Sequence, residues 1–312
     1  MKKFLCILFI FPIILLCSCT NRNADLTDAV TFTDALGRKV SIQKNPDRVA
    51  ALIGSFADVW VLAGGDICAA ASDAWEDFNL ELENAVNIGG AHSPSLELLI
   101  SSAPEFVIAS ASTASNVEML DSLEAMGIPV AYFDVDNFDD YLSMLNICTD
   151  ITGRKDLYEQ NGLLLQAQID DIKQQYKGSD IPESNRKVLL LRAASTFVKA
   201  KGSSGTILGE MLSDMGCVNI ADSNTSLLEN LSVEAVICED PYHIFVVTMG
   251  SDTEKAKKTL ENMIKENPAW STLEAVQSGR LHIMDKTLFN LKPNARFAEA
   301  YEKLADILQK NN

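Results

Sequence analysis

Few side chains in this sequence suit metal or redox chemistry. The three histidines, His92, His243 and His282, are scattered along 312 residues. A bare metal-ion site usually takes several imidazole, thiolate or carboxylate ligands, so the sequence gives little support to a bare zinc or manganese receptor. Beyond residue 19 the cysteines are Cys68, Cys148, Cys217 and Cys238. They form no Cys-x-x-Cys pair, and we expect small buried hydrophobic residues, with one disulfide as the alternative.

The GSSG stretch at residues 202–205 invites a serine-hydrolase interpretation. A nucleophile elbow requires Gly-x-Ser-x-Gly, whereas the residue two after Ser204 is Thr206. Neither a Gly-x-Gly-x-x-Gly fingerprint nor a Walker loop occurs. We therefore expect no catalytic role.

The N-terminus has the layout of an export signal. Two lysines precede an apolar run at residues 4–16, which Pro12 interrupts and which is shorter than the roughly 20 residues that span a bilayer. Residues 16–19, LCSC, resemble a lipobox, in which Cys19 is the better acceptor because Ser18 directly precedes it. We expect Cys19 to anchor an exported protein to the outer face of the cytoplasmic membrane. The alternative is an ordinary signal peptide with a chance cysteine.

Composition excludes some partners. The formal net charge is −17, and removal of residues 1–18 leaves 24 basic and 43 acidic residues. Such an excess of acid argues against nucleic acid as a partner. The hydrophobic content of 47% is enough for real cores, and the length favours two domains.

Two segments of the chain repeat each other without a gap. Residues 95–109 read SLELLISSAPEFVIA, and residues 232–246 read SVEAVICEDPYHIFV. Each predicts a helix that begins after a serine N-cap and ends before a proline, followed by a buried parallel strand. Glu97 and Glu234 hold the same place in the first helical turn, where negative charge suits the helix dipole.

Strands alternate with helices on both sides of a helical middle segment, which predicts an α/β fold with mainly parallel sheets in two similar lobes. Gly153 breaks the middle segment, and residues 154–177 predict one helix about 36 Å long. A stiff bridge of this kind predicts only small closure of the lobes. The expected organisation is a signal peptide at 1–18, a tether and hairpin at 19–45, an N-terminal lobe at 46–138, a helical bridge at 139–184 and a C-terminal lobe at 185–312.

Five motifs carry a resemblance to a known family: TFTDALGRKVSI (31–42), NPDRVAAL (45–52), SPSLELLISSAPEFVIAS (93–110), GSSGTILGEMLSDMGCVNIAD (202–222) and NPAWSTLEAVQSGRLHIM (267–284). In this order the sequence resembles the substrate-binding lipoproteins of ABC importers for iron–siderophores, haem and cobalamin. The resemblance implies two lobes bridged by one long helix, with the ligand in the cleft between them. It also implies a monomer without a permanent cofactor that delivers its ligand to a permease dimer with ATPase subunits.

In such proteins a glutamate on each lobe docks onto permease arginines, a role that falls here to Glu97 and Glu234. The alternative is two solvated acids.

In such folds the loops beyond the strand ends line the ligand cleft. Candidate ligand-binding residues in these loops are Trp75, His92, Ser112, Arg192, Phe197, Met249, Phe289, Lys292 and Arg296. The aromatic residues are candidates for stacking on a porphyrin, corrin or catecholate, and the cations for binding anionic groups.

His92 and Met249 would be the metal ligands only if the chelate were haem. The resemblance implies one axial ligand in each lobe, although here the order of Met and His is reversed. The alternative is a polar loop residue and an apolar cleft wall. An iron chelate, either siderophore or haem, is the expected ligand, and a corrinoid is the alternative.

Overall fold

The computed structural model describes residues 28–250 and 252–310. The predicted signal peptide, the lipidation site Cys19 and most of the predicted tether lie outside the described residues. The strands are β1 Ala29–Thr33, β2 Lys39–Gln43, β3 Val49–Ala51, β4 Ile67–Ala70, β5 Val86–Asn87, β6 Phe106–Ser110, β7 Val130–Phe133, β8 Lys187–Ala193, β9 Val198–Lys201, β10 Val218–Asn219, β11 His243–Thr248 and β12 Leu281–Met284. The helices of the first half are α1 Gly54–Leu62, α2 Asp73–Glu76, α3 Leu96–Ser101, α4 Ala114–Val117, α5 Leu120–Ala125, α6 Phe138–Thr152, α7 Lys155–Tyr158 and α8 Leu164–Lys177. Those of the second half are α9 Ile207–Asp214, α10 Ile220–Ser223, α11 Ser226–Glu229, α12 Val233–Glu239, α13 Thr253–Glu266, α14 Glu274–Gln277, α15 Lys286–Phe289 and α16 Phe297–Lys310.

Each lobe is built on a five-stranded sheet. The N-terminal sheet has the order β5-β4-β3-β6-β7 and is parallel throughout. The C-terminal sheet has the order β10-β8-β11-β12, all parallel, and β9 adds an antiparallel partner to β8. The antiparallel hairpin β1–β2 precedes both. The predicted α/β class with two mainly parallel sheets is confirmed.

The internal repeat is a structural repeat. The hydroxyl Oγ of Ser95 accepts a hydrogen bond from the Leu98 amide at 3.3 Å, and Ser232 caps α12 in the same way through Ala235 at 3.2 Å. Beyond each helix the chain turns through a left-handed residue at the same position of the repeat, Ala103 (φ 45°) and Asp240 (φ 47°). A left-handed conformation is unusual for these residues, so its recurrence marks the same turn built twice.

The bridge consists of two helical parts. Gly153 ends α6 in the left-handed conformation (φ 71°), and the helical stretch from α7 to Lys177 contains a π-helical turn at Glu159–Leu163. The structure has the break at Gly153, and the helical residues that follow it form three segments, of which the middle one is this unpredicted π-helical turn. It is held against α6, because the Tyr141 hydroxyl donates to the Asn161 carbonyl at 2.7 Å. A Cβ at Gly162 would lie 2.9 Å from a Leu142 methyl, so that methyl would have to shift to admit a larger residue.

One hydrophobic core runs through both lobes and the bridge. Alternate residues of each sheet point into it, for example Ile108 of β6 and Leu190 of β8, while the neighbouring residues fill a separate core on the outer face of each sheet. At its centre the Phe297 ring of α16 packs on Phe138 and Tyr141 of α6, with centroids 5.3 and 5.7 Å apart. The lobes are therefore packed together rather than merely tethered.

The four cysteines that follow the N-terminal segment are free thiols. Cys148 and Cys217 are buried in the shared core, as expected, and Cys68 is half-buried. Cys238 is exposed on α12, so the prediction of burial is wrong there. Within residues 28–250 and 252–310, no helix combines the length and apolar character needed to cross a bilayer.

Two histidines form a buried pair. Nδ1 of His243 lies 3.1 Å from Nε2 of His282 across the β11–β12 pair, and the Nε2 of His243 is buried without a partner among the described residues. Burial, with smaller contributions from His282 and Arg280, lowers the pKa of His243 to about 4. Burial and Arg280 also lower the pKa of His282.

We expect the His243–His282 pair to make folding sensitive to mild acid. Because the pKa of His243 is lower in the folded protein, protonation in mild acid favours the unfolded chain. The contribution of the neutral imidazole to the free energy of unfolding is therefore complete above pH 6.5 and is lost as the pH falls towards 4. Between pH 7.5 and pH 4.5, the free energy of unfolding by urea should fall by about 2 kcal/mol in the wild type. This fall should be absent in His243→Phe. His92→Gln, which removes an exposed histidine, should keep the wild-type loss. An equal loss in His243→Phe and wild type would contradict this assignment.

Candidate ligand-binding site

The two sheets face each other with their carboxyl edges, and polar contacts join the loops of these edges. On the N-terminal side the loops follow β3, β4 and β7, and on the C-terminal side they follow β12. Ligands of open α/β sheets bind outside the carboxyl ends of the strands. The space between these edges is therefore the candidate site.

Asn294 is the most deeply buried of the residues that make these contacts. Its Nδ2 donates to the Ser55 carbonyl and to Oδ2 of Asp58, both at 2.8 Å. Burial raises the pKa of Asp58, and the hydrogen bond from Asn294 opposes that rise. The backbone of Asn294 is left-handed (φ 51°), a conformation that asparagine tolerates better than most residues. Sequence reasoning placed this loop at the cleft but missed Asn294, although an asparagine after Pro293 is a turn signal.

A second inter-lobe contact is an ion pair. Lys286 Nζ lies 2.8 and 2.9 Å from the two carboxylate oxygens of Asp77. Both side chains are mostly buried, with 16% and 26% of their surface exposed. Neither residue was predicted from the sequence, because 209 positions separate them and no local pattern links them.

Lys292 of the C-terminal lobe lies close to acids that precede and begin the bridge. Burial lowers its pKa, while Asp136 and Asp134 of the N-terminal lobe and Asp140 of the bridge act in the opposite direction. Burial and Asp134 raise the pKa of Asp136, and Lys292 opposes this effect. A lysine of one lobe thus faces acids of the other lobe and of the bridge.

Arg192 and Met249 lie together on the C-terminal side. Arg192 is the penultimate residue of β8, and the Met249 amide donates to the carbonyl of the next residue, Ala193, at 2.9 Å. Burial lowers the pKa of Arg192, whose Nε is buried without a hydrogen-bond partner in the described part of the chain. Met249 is half-buried.

His92 and Ser112 lie on neighbouring loops of the N-terminal side, and both are exposed. The Ala91 carbonyl accepts from the Ser115 hydroxyl and the Asn116 amide, each at 3.2 Å, which ties the two loops together. His92 and Met249 thus stand on opposite lobes, as an axial pair requires.

The remaining candidates are less well placed. Trp75 is half-buried and packs against the shared core. Phe197 is exposed in an open groove of about 680 Å³ that lies within the C-terminal lobe rather than between the lobes. Phe289 is only 3% exposed and belongs to the shared core, so its stacking face is not available to a ligand. Arg296 is exposed and pairs with Glu299 at 2.7 Å, beside its own helix. For Phe289 the sequence-based expectation is therefore corrected, whereas the role of Arg296 stays a prediction.

Glu97 and Glu234 are exposed at equivalent positions in the first turns of α3 and α12. The Ser232 hydroxyl donates to Glu234 Oε2 at 2.8 Å. Both helices lead back to the amino ends of their strands, so their first turns lie near the carboxyl edges that face each other.

Asn294 should be a main contributor to the fixed geometry of this site. Asn294→Gly keeps the left-handed backbone accessible and removes both hydrogen bonds, leaving the buried Asp58 carboxyl without its amide donor. We expect a loss of about 1–3 kcal/mol in the free energy of unfolding by urea. The matched control is Asn79→Gly, because Asn79 has the same φ of 51° and is exposed. Equal losses in the two variants would contradict a special role for the buried amide.

Comparison with known proteins agrees with this architecture. Residues 49–288 match the family described as "Periplasmic binding protein". The Fe(3+)-citrate-binding protein YfmC of Bacillus subtilis is 23% identical over 309 residues, which cover 94% of this chain and 91% of that protein. The putative ABC transporter substrate-binding lipoprotein YhfQ of the same organism is 22% identical over 329 residues, covering 99% and 98%. The crystal structure of Staphylococcus aureus SirA complexed with staphyloferrin B has a TM-score of 0.68 at 21% identity, covering 90% of this chain and 98% of that chain.

Proposed function

This chain belongs to the periplasmic binding protein family, and we propose that it captures an iron chelate outside the cytoplasm and delivers it to an ABC importer. The observation that carries the proposal is the pair of sheet edges whose loops face each other, with charged and polar residues of the two lobes in contact. The names of the relatives support it, since one binds Fe(3+)-citrate and another was solved with staphyloferrin B. These relatives favour an iron chelate over a corrinoid.

The proposed anchor is the lipidated Cys19. The lipobox-like LCSC at residues 16–19 supports it, as does the name of a lipoprotein relative. The body would then stand at the outer face of the cytoplasmic membrane as a monomer without a permanent cofactor and without a catalytic role.

Glu97 and Glu234 are the proposed contacts with the permease. Two exposed carboxylates at equivalent places on two similar lobes suit a partner made of two similar subunits. The cationic partner side chains would be arginines, which bind carboxylates through two parallel hydrogen bonds.

The ligand itself can be identified by titration. Residues 20–312 would be titrated with haemin, ferric citrate, ferric siderophores and cyanocobalamin, with visible absorbance and tryptophan fluorescence as readouts. We expect saturable binding of at least one iron chelate and none of cyanocobalamin. A sharpened Soret band that is lost in both His92→Ala and Met249→Ala would identify haem held by this axial pair. Tryptophan quenching by a siderophore without a Soret change would exclude the axial pair, and binding of cyanocobalamin alone would contradict the iron-chelate proposal.

Reversing the charges of Glu97 and Glu234 should impair delivery of the chelate to the permease without changing its capture by the binding protein. In cells, Glu97→Arg with Glu234→Arg should lower uptake of the bound chelate at least about tenfold, because like charges would meet at the permease. The affinity of the purified protein for the chelate should be unchanged. Glu83→Arg with Glu261→Arg is the matched control, since it reverses one exposed acid in each lobe. Normal uptake in the first double variant would exclude these glutamates as the docking contacts.

A further inference from the structure

The two copies of the internal repeat share four identical residues. These are Ser95 and Ser232, Glu97 and Glu234, Ile100 and Ile237, and Pro104 and Pro241. The serines cap their helices, and the prolines are buried directly after the left-handed residues that end the turns. The glutamates are exposed and are the proposed contacts with the permease. The recurrence of the isoleucines has no such local cause.

The two isoleucines do not support the cores of their lobes. Ile237 has 41% of its surface exposed. Ile100 is half-buried, yet within residues 28–250 and 252–310 it is neither a member of a hydrophobic core nor one of the half-buried side chains packed on one. Leu99 and Val236, the residues directly before them, are fully buried and fill the cores instead. Packing of the lobes therefore does not require an isoleucine at either position.

Each isoleucine shares a helical face with a glutamate of the proposed docking pair. Residues three apart are neighbours on the surface of a helix, so Ile100 lies beside Glu97 on α3 and Ile237 beside Glu234 on α12. An exposed apolar side chain that occurs singly is normal on a protein surface. Here the same carboxylate and the same apolar side chain recur together at equivalent places on two lobes. We call each such pair of side chains a docking patch.

An apolar contact supplies what an exposed carboxylate cannot. A solvent-exposed ion pair gains little free energy, because water and salt screen it, and it mainly sets orientation and the rate of encounter. Burial of an isoleucine removes apolar surface from water and adds an attraction that salt does not screen. Contacts that exclude water also surround the strongest interactions of protein interfaces. Ile100 and Ile237 are placed to shield the ion pairs of the neighbouring glutamates in this way.

The two docking patches keep a fixed spacing. The shared core packs both sheets and the bridge together, so the lobes carry their patches as parts of one body. When one patch has docked, the second contact becomes an intramolecular step, which raises the overall affinity without enlarging either patch. Small patches suit a binding protein that must leave after delivery, because transient complexes bury little surface.

We propose that Ile100 and Ile237 are the apolar anchors of the docking patches, and that each permease subunit receives its patch with an apolar pocket beside a cationic side chain. This inference rests on the proposed function and deepens it, because it states the chemistry of the partner surface. The N-terminal patch is the more apolar of the two. Leu98 beside it is 42% exposed, whereas its counterpart Ala235 packs against the core of the C-terminal lobe.

The test measures delivery and capture separately. Cells without the chromosomal copy would express the full chain, and uptake of radiolabelled iron would be followed from ferric citrate, ferric staphyloferrin B and haemin. Ile100→Asn with Ile237→Asn should lower the initial rate of uptake at least about tenfold, because both anchors are lost together. Each single variant should lose less, and Ile100→Val with Ile237→Val should keep most of the uptake. The affinity of the purified double variant for the chelates should equal that of the wild type.

The matched control is Leu164→Asn with Ile283→Asn. It removes two side chains of the same kind that are 61% and 44% exposed and lie on α8 and β12, outside both docking patches. This variant should take up iron as the wild type does. Ile237→Asn carries the test by itself if thermal unfolding shows that Ile100→Asn does not fold, since Ile237 is the more exposed of the two anchors.

Photocrosslinking in the same cells would identify the partner. A photoreactive amino acid in place of Ile237 should crosslink to a membrane-spanning subunit of an ABC permease, identified by mass spectrometry, and one in place of Ile283 should not. Equal crosslinking from both positions, or crosslinks from Ile237 to other proteins only, would contradict an anchor at this position.

The outcomes separate this inference from the proposed function. Normal uptake by the folded Ile100→Asn with Ile237→Asn variant, or an equal loss in the control variant, would overturn the anchors and leave chelate capture and delivery standing. Weaker chelate binding by the purified double variant would also overturn them, because the isoleucines would then act on capture. A wild-type chain that neither binds nor delivers any of the three chelates would overturn the proposed function and the inference with it.

Discussion

The structure depends on one hydrophobic core that both lobes share. Phe297 of the C-terminal helix packs on Phe138 and Tyr141 of the bridge, and one face of each sheet completes the same core. Burial of each large side chain contributes about 1.5–3 kcal/mol, so separating the lobes would expose many such contributions together. The relative position of the lobes is therefore fixed by packing, and the π-helical turn held by Tyr141 keeps the bridge in that packing.

This packing determines which polar groups meet at the sheet edges. Because the edges are held close together, Asn294 reaches Ser55 and Asp58, and Lys286 reaches Asp77. These contacts satisfy the side-chain nitrogen of Asn294 and the charges of Asp77 and Lys286, which would be costly to bury alone. The amide oxygen of Asn294 remains buried without a partner among the described residues.

The repeat gives the molecule an approximate symmetry that the function would use. The same serine-capped helix, left-handed turn and buried strand occur once in each lobe, and each helix presents an exposed glutamate. An approximate symmetry in the binding protein matches a partner built from two similar subunits. Capture and delivery would then use different surfaces, the inner walls for the chelate and the two first turns for the permease.

The sequence by itself determined the local elements and the fold class. These elements follow from local signals, namely the alternation of buried strands with helices, the glycine breaks and the serine caps. Such signals act within a few residues and can be recognised in the sequence, as in the two copies of the repeat that begin at Ser95 and Ser232. The same reasoning placed Arg192, Lys292 and Met249 near strand ends, because the carboxyl edge of a parallel sheet follows from the strand order. It failed for Phe289, which lies near a strand end as well but turns into the core. Only the tertiary structure decided the contacts of Asn294 and the Asp77–Lys286 pair. The physical reason is that solvation and charge pairing depend on which distant side chains meet, and packing of the shared core decides that.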